Sequence, residues 1–155
     1  MRVGIIVHSK TGNTLSVAEL LRKRLEKNGH SVQIGKVTVK GEVKHGDKNI
    51  EFTNRPKVSG YDALVFGSLV EAFSLSPVMK AYLKDLPSLE GKRTACFVTK
   101  ALPFGWTGGT RALSQMKKIC RSKGASMASE GYISWNPRYR EKQTGDLLDR
   151  FEKLL

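Results

Sequence analysis

Acidic residues are scarce in this chain. Against 27 Lys and Arg there are 14 Asp and Glu, a formal charge of +13 on 155 residues. A balance this basic raises a nucleic acid, a membrane surface or an acidic protein as partner. The shortage is local as well as global: between Gly91 and Ser129 there is no acid, while Lys92, Arg93, Lys100, Arg111, Lys117, Lys118, Arg121 and Lys123 all fall there. Cysteine is limited to Cys96, in an apolar run, and Cys120, on a helix face, which suits buried thiols in a reducing compartment and excludes a disulfide framework. Histidine is limited to His8, His30 and His45, with no metal-ligand spacing among them. No apolar run approaches a membrane span or a signal-peptide core, so a cytoplasmic protein without membrane insertion is expected. Two phosphate signatures are absent as well: neither G-x-x-x-x-G-K-[ST] nor G-x-G-x-x-G follows the first strand, which disfavours a P-loop NTPase and a dinucleotide site.

What is present is a short apolar strand, Val3–Val7, joined to a long amphipathic helix by Ser9-Lys10-Thr11-Gly12-Asn13-Thr14. A hydroxyl-rich turn at a helix N-terminus brings unpaired backbone N–H groups and the positive end of the helix dipole to one point, where an anion is stabilised. Gly12 permits close approach of a ligand, Ser9, Thr11 and Thr14 can donate, and Asn13 can tie the turn together. An ordinary N-cap accounts for the same six residues. If the turn holds an anion, the remaining common ligand is a monophosphate.

Beyond the turn, Val17, Ala18, Leu21 and Leu25 recur at helical spacing up to Asn28-Gly29. Ser31–Val39 reads as an edge strand with an irregularity near Gly35. Residues 40–60 have no helical period and read as a solvated excursion. Val43, the turn at His45-Gly46-Asp47-Lys48, Ile50 and Phe52 offer a short hairpin or flap within it, able in the functional alternative to touch a cofactor or partner. Strand and helix then alternate: Tyr61–Gly67, a helix opened by Pro77, Thr94–Thr99, a helix through Ala112, Leu113, Met116, Ile119 and Cys120, the strand Ser126–Trp135, and a last helix carrying Leu147, Leu148, Phe151, Leu154 and Leu155. The pattern implies one domain over 1–155, an α/β three-layer, doubly wound, five-stranded parallel sheet in the order 2-1-3-4-5. In such sheets ligands lie beyond the carboxyl ends of the strands at the switch point, here the loops Ser9–Thr14, Gly67–Ser76 and Lys100–Gly109.

The second loop offers Ser68, Leu69, Val70, Glu71 and Phe73, and the third Lys100, Ala101, Phe104, Gly105, Trp106 and Gly108. Apolar and aromatic side chains in loops expected to be wet mark a binding surface. Trp106, flanked by glycines, combines a large flat ring with a mobile frame. Phe73 can serve the same surface or staple the helix that opens at Pro77.

Ser9-x-Thr11-Gly12-x-Thr14, the element order and the two later loops together resemble the flavodoxin family, whose first loop reads [ST]-x-T-G-x-T and holds the phosphate of FMN. The resemblance covers nearly the whole chain. It implies non-covalent FMN as cofactor, the residues named in the three loops as its binding site, and electron transfer one electron at a time between redox proteins. The family's Trp and Tyr flanking the ring are not reproduced, so Phe73 and Trp106 carry over by loop position only. Most members are acidic; this chain is basic, which implies a redox partner with an acidic docking surface, and Lys100 beside the third loop would favour a reduced, anionic flavin. An NAD(P)H-dependent FMN or quinone reductase of the same fold is the competing enzyme. A flavin-free nucleic-acid binder is disfavoured, because the aromatics gather in two loops rather than interleaving with Lys and Arg. Response regulators share the strand order, but their carboxylate cluster is absent, and neither cysteine begins a C-x₅-R phosphatase cradle.

Overall fold

A computed structural model describes residues 1–101 and 108–153. The strand β1 (Arg2–His8) leads into the helix α1 (Asn13–Lys27); β2 (Ser31–Lys36), β3 (Thr38–Val39) and β4 (Phe52–Asn54) follow. Next come β5 (Ala63–Glu71), β6 (Ser74–Leu75), α2 (Pro77–Lys84), β7 (Arg93–Lys100), α3 (Gly109–Ser122), β8 (Ser126–Ser134) and α4 (Pro137–Glu152). The main sheet runs β2-β1-β5-β7-β8 with every neighbour parallel, so the expected order holds with β2 at an edge. β1, β5 and β7 are central and buried on both faces, which is why they read as unbroken apolar runs.

Alternate residues of these strands feed two cores. Val3, Ile5, Val7, Val65 and Phe97 pack with Leu21 and Leu25 of α1 and with Leu147 and Phe151 of α4. Ile6, Leu64, Phe66, Cys96 and Val98 pack with Met79 and Leu83 of α2 and with Leu113, Met116 and Cys120 of α3. Each fully buried Leu, Ile or Phe contributes about 1.5–3 kcal/mol. Among the described residues no helix is long and apolar enough to cross a membrane.

Three expectations are corrected. The strand expected over Ser31–Val39 is divided close to the expected irregularity: β2 pairs with β1 through Lys36, Val37 donates its N–H to Val7 O at 2.8 Å, and Thr38–Val39 then join β4. At Gly35 itself a Cβ would stand 2.7 Å from the Pro56 ring. The segment 40–60 is exposed along most of its length, but its apolar residues are turned inward and it contributes β4 to a hairpin. Val37, Val43 and Val58 are buried with Ile6, Leu64 and Phe66, and Ile50 and Phe52 pack against them. β3 and β4 pair antiparallel, so this crossover covers one face of the sheet with a hairpin where the other parallel connections use a helix. Tyr82 donates its hydroxyl to Pro56 O and Arg55 pairs with Asp85 at 2.6 Å, pinning the cover to the end of α2. Thirdly, the loop expected at Gly67–Ser76 is largely strand. β5 continues to Glu71 and turns back through Ala72 and Phe73 into β6, with Val70 opposite Leu75 and Glu71 opposite Ser74.

Candidate functional site

The turn after β1 is arranged as a cradle. Gly12 adopts φ +89°, and a Cβ there would meet no atom within 4 Å, so the space in front of it is open. Ser9 Oγ accepts from Gly12 N at 3.2 Å and Leu15 N at 3.4 Å, closing the turn from within. Ser16 Oγ donates to Asn13 O at 2.7 Å. The backbone N–H groups of Thr11, Asn13 and Thr14 have no acceptor among the described residues. They are first-turn donors, which an anion satisfies. Thr11 is exposed, whereas Thr14 is 1% exposed and shares a 2.8 Å hydrogen bond with Thr99 of β7.

Lys10 and Glu71 close one side of the cradle with a 2.9 Å ion pair joining the first and second loops. The pair neutralises both charges, so an anion in the turn would be met by backbone and hydroxyl donors. The hairpin cover reaches the same place: His45 Nε2 lies 3.0 Å from Glu71 O. Beneath, His8 is 6% exposed, with Nδ1 2.7 Å from Ser76 Oγ. Ser76 caps α2 by accepting from Met79 N, so the same hydroxyl joins His8 to the start of that helix. Burial, opposed by Glu71 and assisted by Lys10, lowers the His8 pKa to about 4, so the ring is neutral at pH 7.

The β5–β6 turn is strained. Ala72 and Phe73 have φ +47° and +61°, the sign pattern of a type I′ turn in two residues that have a Cβ. Gln115 of α3 holds the hairpin by accepting from Ser74 Oγ and Leu75 N, each at 2.9 Å. Phe73 is 57% exposed at the tip, which excludes the alternative in which it staples α2. Gly108, the αL N-cap of α3 at φ +112°, lies against that tip: a Cβ there would fall 2.6 Å from Phe73 Cα and 2.8 Å from Val70 Cγ1.

Ser9 to Thr14, Leu69, Val70, Glu71, Phe73 and Gly108 thus gather at the carboxyl end of the sheet. Ser68 is fully buried within β5 and donates to Leu69 O at 3.0 Å. Lys100 is 5% exposed, its Nζ 4.8 Å from the centre of the Tyr132 ring, and burial pushes its ammonium below the usual lysine range. Ala101 is exposed where β7 ends. Phe104, Gly105 and Trp106 lie outside the described residues. Sequence reasoning missed Thr99 and Gln115 as neighbours of the site, whereas Ser76 ends the second expected loop and His45 lies in the flap expected as the functional alternative. His8 carried a signal too, as the residue that ends the first strand beside Ser9.

The same architecture is found in solved structures over the full length of the chain. Flavodoxin 2 of Bacillus cereus superposes with a TM-score of 0.74 at 16% identity, covering 100% of both chains. The chain has the flavodoxin fold. A flavodoxin of Streptococcus pneumoniae gives a TM-score of 0.71 at 16% identity over 100% of both chains. The two-electron reduced flavodoxin of Megasphaera elsdenii gives 0.71 at 21% identity, covering 97% of this chain and 98% of that one. No family model matches the sequence. Among curated proteins, an NAD(P)H dehydrogenase (quinone) of Archaeoglobus fulgidus is 27% identical over 123 residues, 67% of this chain. The match takes in 64% of that relative, so the chain spans a little under two thirds of its length.

Proposed function

We propose that this flavodoxin-like chain binds FMN non-covalently and carries electrons one at a time between redox proteins. One observation carries the reading. A turn with unsatisfied first-turn N–H groups and open space before Gly12 stands beside a strained hairpin tip that presents Phe73. The first feature suits a phosphate and the second a flat apolar ring, and both lie at the switch point of the sheet. Thr11, Asn13 and Thr14 would hold the phosphate; Leu69, Val70, Phe73 and Gly108 would border the ring. Bound FMN would supply reversible electron uptake, while the neutral His8 and the Lys10–Glu71 pair keep the floor and side of the site without net charge.

Titration of the protein with FMN and with riboflavin tests this. FMN is expected to bind at least about tenfold more tightly, since hydrogen bonds to a charged group contribute roughly 1.5–3 kcal/mol each. Equal affinity for the two would sink the phosphate cradle. A second reading, an NAD(P)H-dependent FMN or quinone reductase, is favoured by the relative from Archaeoglobus fulgidus. Aerobic oxidation of NAD(P)H by the FMN-loaded protein, with and without a quinone, decides between carrier and enzyme.

A further inference from the structure

The run of basic residues that is continuous in sequence is divided by the fold. Lys117 turns toward β8 and pairs with Glu130 at 2.7 Å, and Lys100 lies over Tyr132. Lys118 and Lys123 instead face α2, where they meet Lys80 and Lys84 across a groove of about 500 Å³ floored by Ile119. Among the described residues no carboxylate lines this groove. The nearest acid on α2's end, Asp85, is engaged by Arg55, and Lys123 Nζ is fixed on Lys84 O at 2.7 Å.

We propose that the groove between α2 and α3 is the docking surface for an acidic redox protein, which lays a carboxylate-bearing segment between the two helices. Four ammonium groups with no acid among the lining residues leave a local excess of positive charge that carboxylates on a partner would complement, steering its approach. Among the described residues the floor is aliphatic and no aromatic ring lines the groove to stack a base, which favours a protein over a nucleic acid. One end of the groove is also tied to the flavin site. Gln115 lines it and holds Ser74 and Leu75, two residues from the exposed Phe73 tip. The groove runs from Gln115 toward the C-terminal ends of α2 and α3 at Lys84 and Lys123, so a partner seated there approaches the hairpin tip through its Gln115 end. That last step rests on the flavin reading; the surface itself does not.

The test follows backbone amide NMR shifts while poly-L-glutamate is added at low salt. Shifts are expected to gather on α2 and α3. The Lys84→Glu/Lys118→Glu pair is expected to weaken binding at least about tenfold, and Lys23→Glu/Lys142→Glu, an equal charge change at exposed positions of α1 and α4, by no more than about twofold. Equal weakening by both pairs, or shifts spread over all four helices, would overturn the proposal. Tighter binding of a single-stranded oligodeoxynucleotide in the groove at the same ionic strength would overturn the choice of a protein partner. In a second arm, photoreduced FMN-loaded protein delivers an electron to an acidic [2Fe–2S] ferredoxin; the groove pair is expected to slow this transfer with FMN affinity unchanged, and an unslowed transfer would count against docking there. Failure of FMN to bind removes the carrier reading and leaves the poly-L-glutamate arm to decide the groove.

Discussion

Gly108 rests on the backbone of Phe73 so closely that a single added Cβ would stand 2.6 Å from both its Cα and its carbonyl carbon. The third loop ends, and α3 begins, against the tip of the hairpin. Contact with backbone cannot be relieved by rotating a side chain, and φ +112° at Gly108 is closed to other residues. Gly108→Ala is expected to cost at least about 2 kcal/mol in urea unfolding and to weaken FMN binding. The contrasting substitution is Gly145→Ala in α4, where a Cβ meets nothing within 4 Å. It is expected to stabilise by about 0.5–1 kcal/mol, with FMN affinity unchanged.

The hairpin turn predicts opposite effects on stability and binding. Ala72 and Phe73 both occupy the left-handed region, at a cost of about 1–2 kcal/mol each that glycine does not bear. Phe73→Gly is expected to raise the unfolding free energy, since the exposed ring contributes little packing, and to lower FMN affinity. Ala72→Gly is expected to stabilise and leave affinity nearly intact. A Phe73→Gly protein that binds FMN as tightly as the parent would place the ring outside the site.

The two threonines of the first loop separate binding from folding. Thr11 is exposed, so Thr11→Ala is expected to leave stability within about 0.5 kcal/mol and to weaken FMN by about tenfold. Thr14→Ala removes the buried partner of Thr99 and is expected to cost about 1–3 kcal/mol of stability as well as affinity. Calorimetry on the protein alone and with FMN reads both quantities.

His8 makes stability depend on pH. Its folded pKa of about 4 lies below the unfolded value of 6.5, so between these limits the unfolded chain binds more protons. The contribution is present above pH 6.5 and is lost as pH falls through 4, about 3 kcal/mol in all. His8→Asn keeps a hydrogen-bonding group for Ser76 and does not titrate. The difference in urea midpoint between parent and variant is expected to shrink as pH is lowered across this window; a constant difference would show that His8 does not titrate in it.

The parallel sheet and its order were legible because central strands buried on both faces leave apolar runs, and because Pro77, Gly12 and Gly124 punctuate them. The first loop was legible for the same reason: its glycine, hydroxyls and following helix are contiguous. Residues 40–60 were misread because their apolar residues, Val43, Ile50, Phe52 and Val58, are spaced irregularly, and no local period reports that they cover a sheet formed by distant strands. The Gly67–Ser76 hairpin was hidden by its turn, since Ala72-Phe73 lacks the Asn-Gly or Asp-Gly that advertises a type I′ geometry. Contacts such as His8 with Ser76, or Gln115 with Leu75, join residues far apart in sequence, and neither partner is unusual in its own stretch.

The hairpin that stands in for a crossover helix also bears on the order in which the molecule assembles. A helix gains hydrogen bonds as it grows, before it touches the sheet, whereas the stretch from Val37 to Val58 is rewarded mainly once β1 and β5 are in place and Ile6, Leu64 and Phe66 await covering. Its closure is therefore expected late in folding and its release early in unfolding, and hydrogen exchange is expected to show amide protons in β3 and β4 opening at lower cost than those of β5 and β7. Because His45 anchors the same segment to Glu71, a segment expected to open early is fastened directly to the rim of the candidate cofactor site.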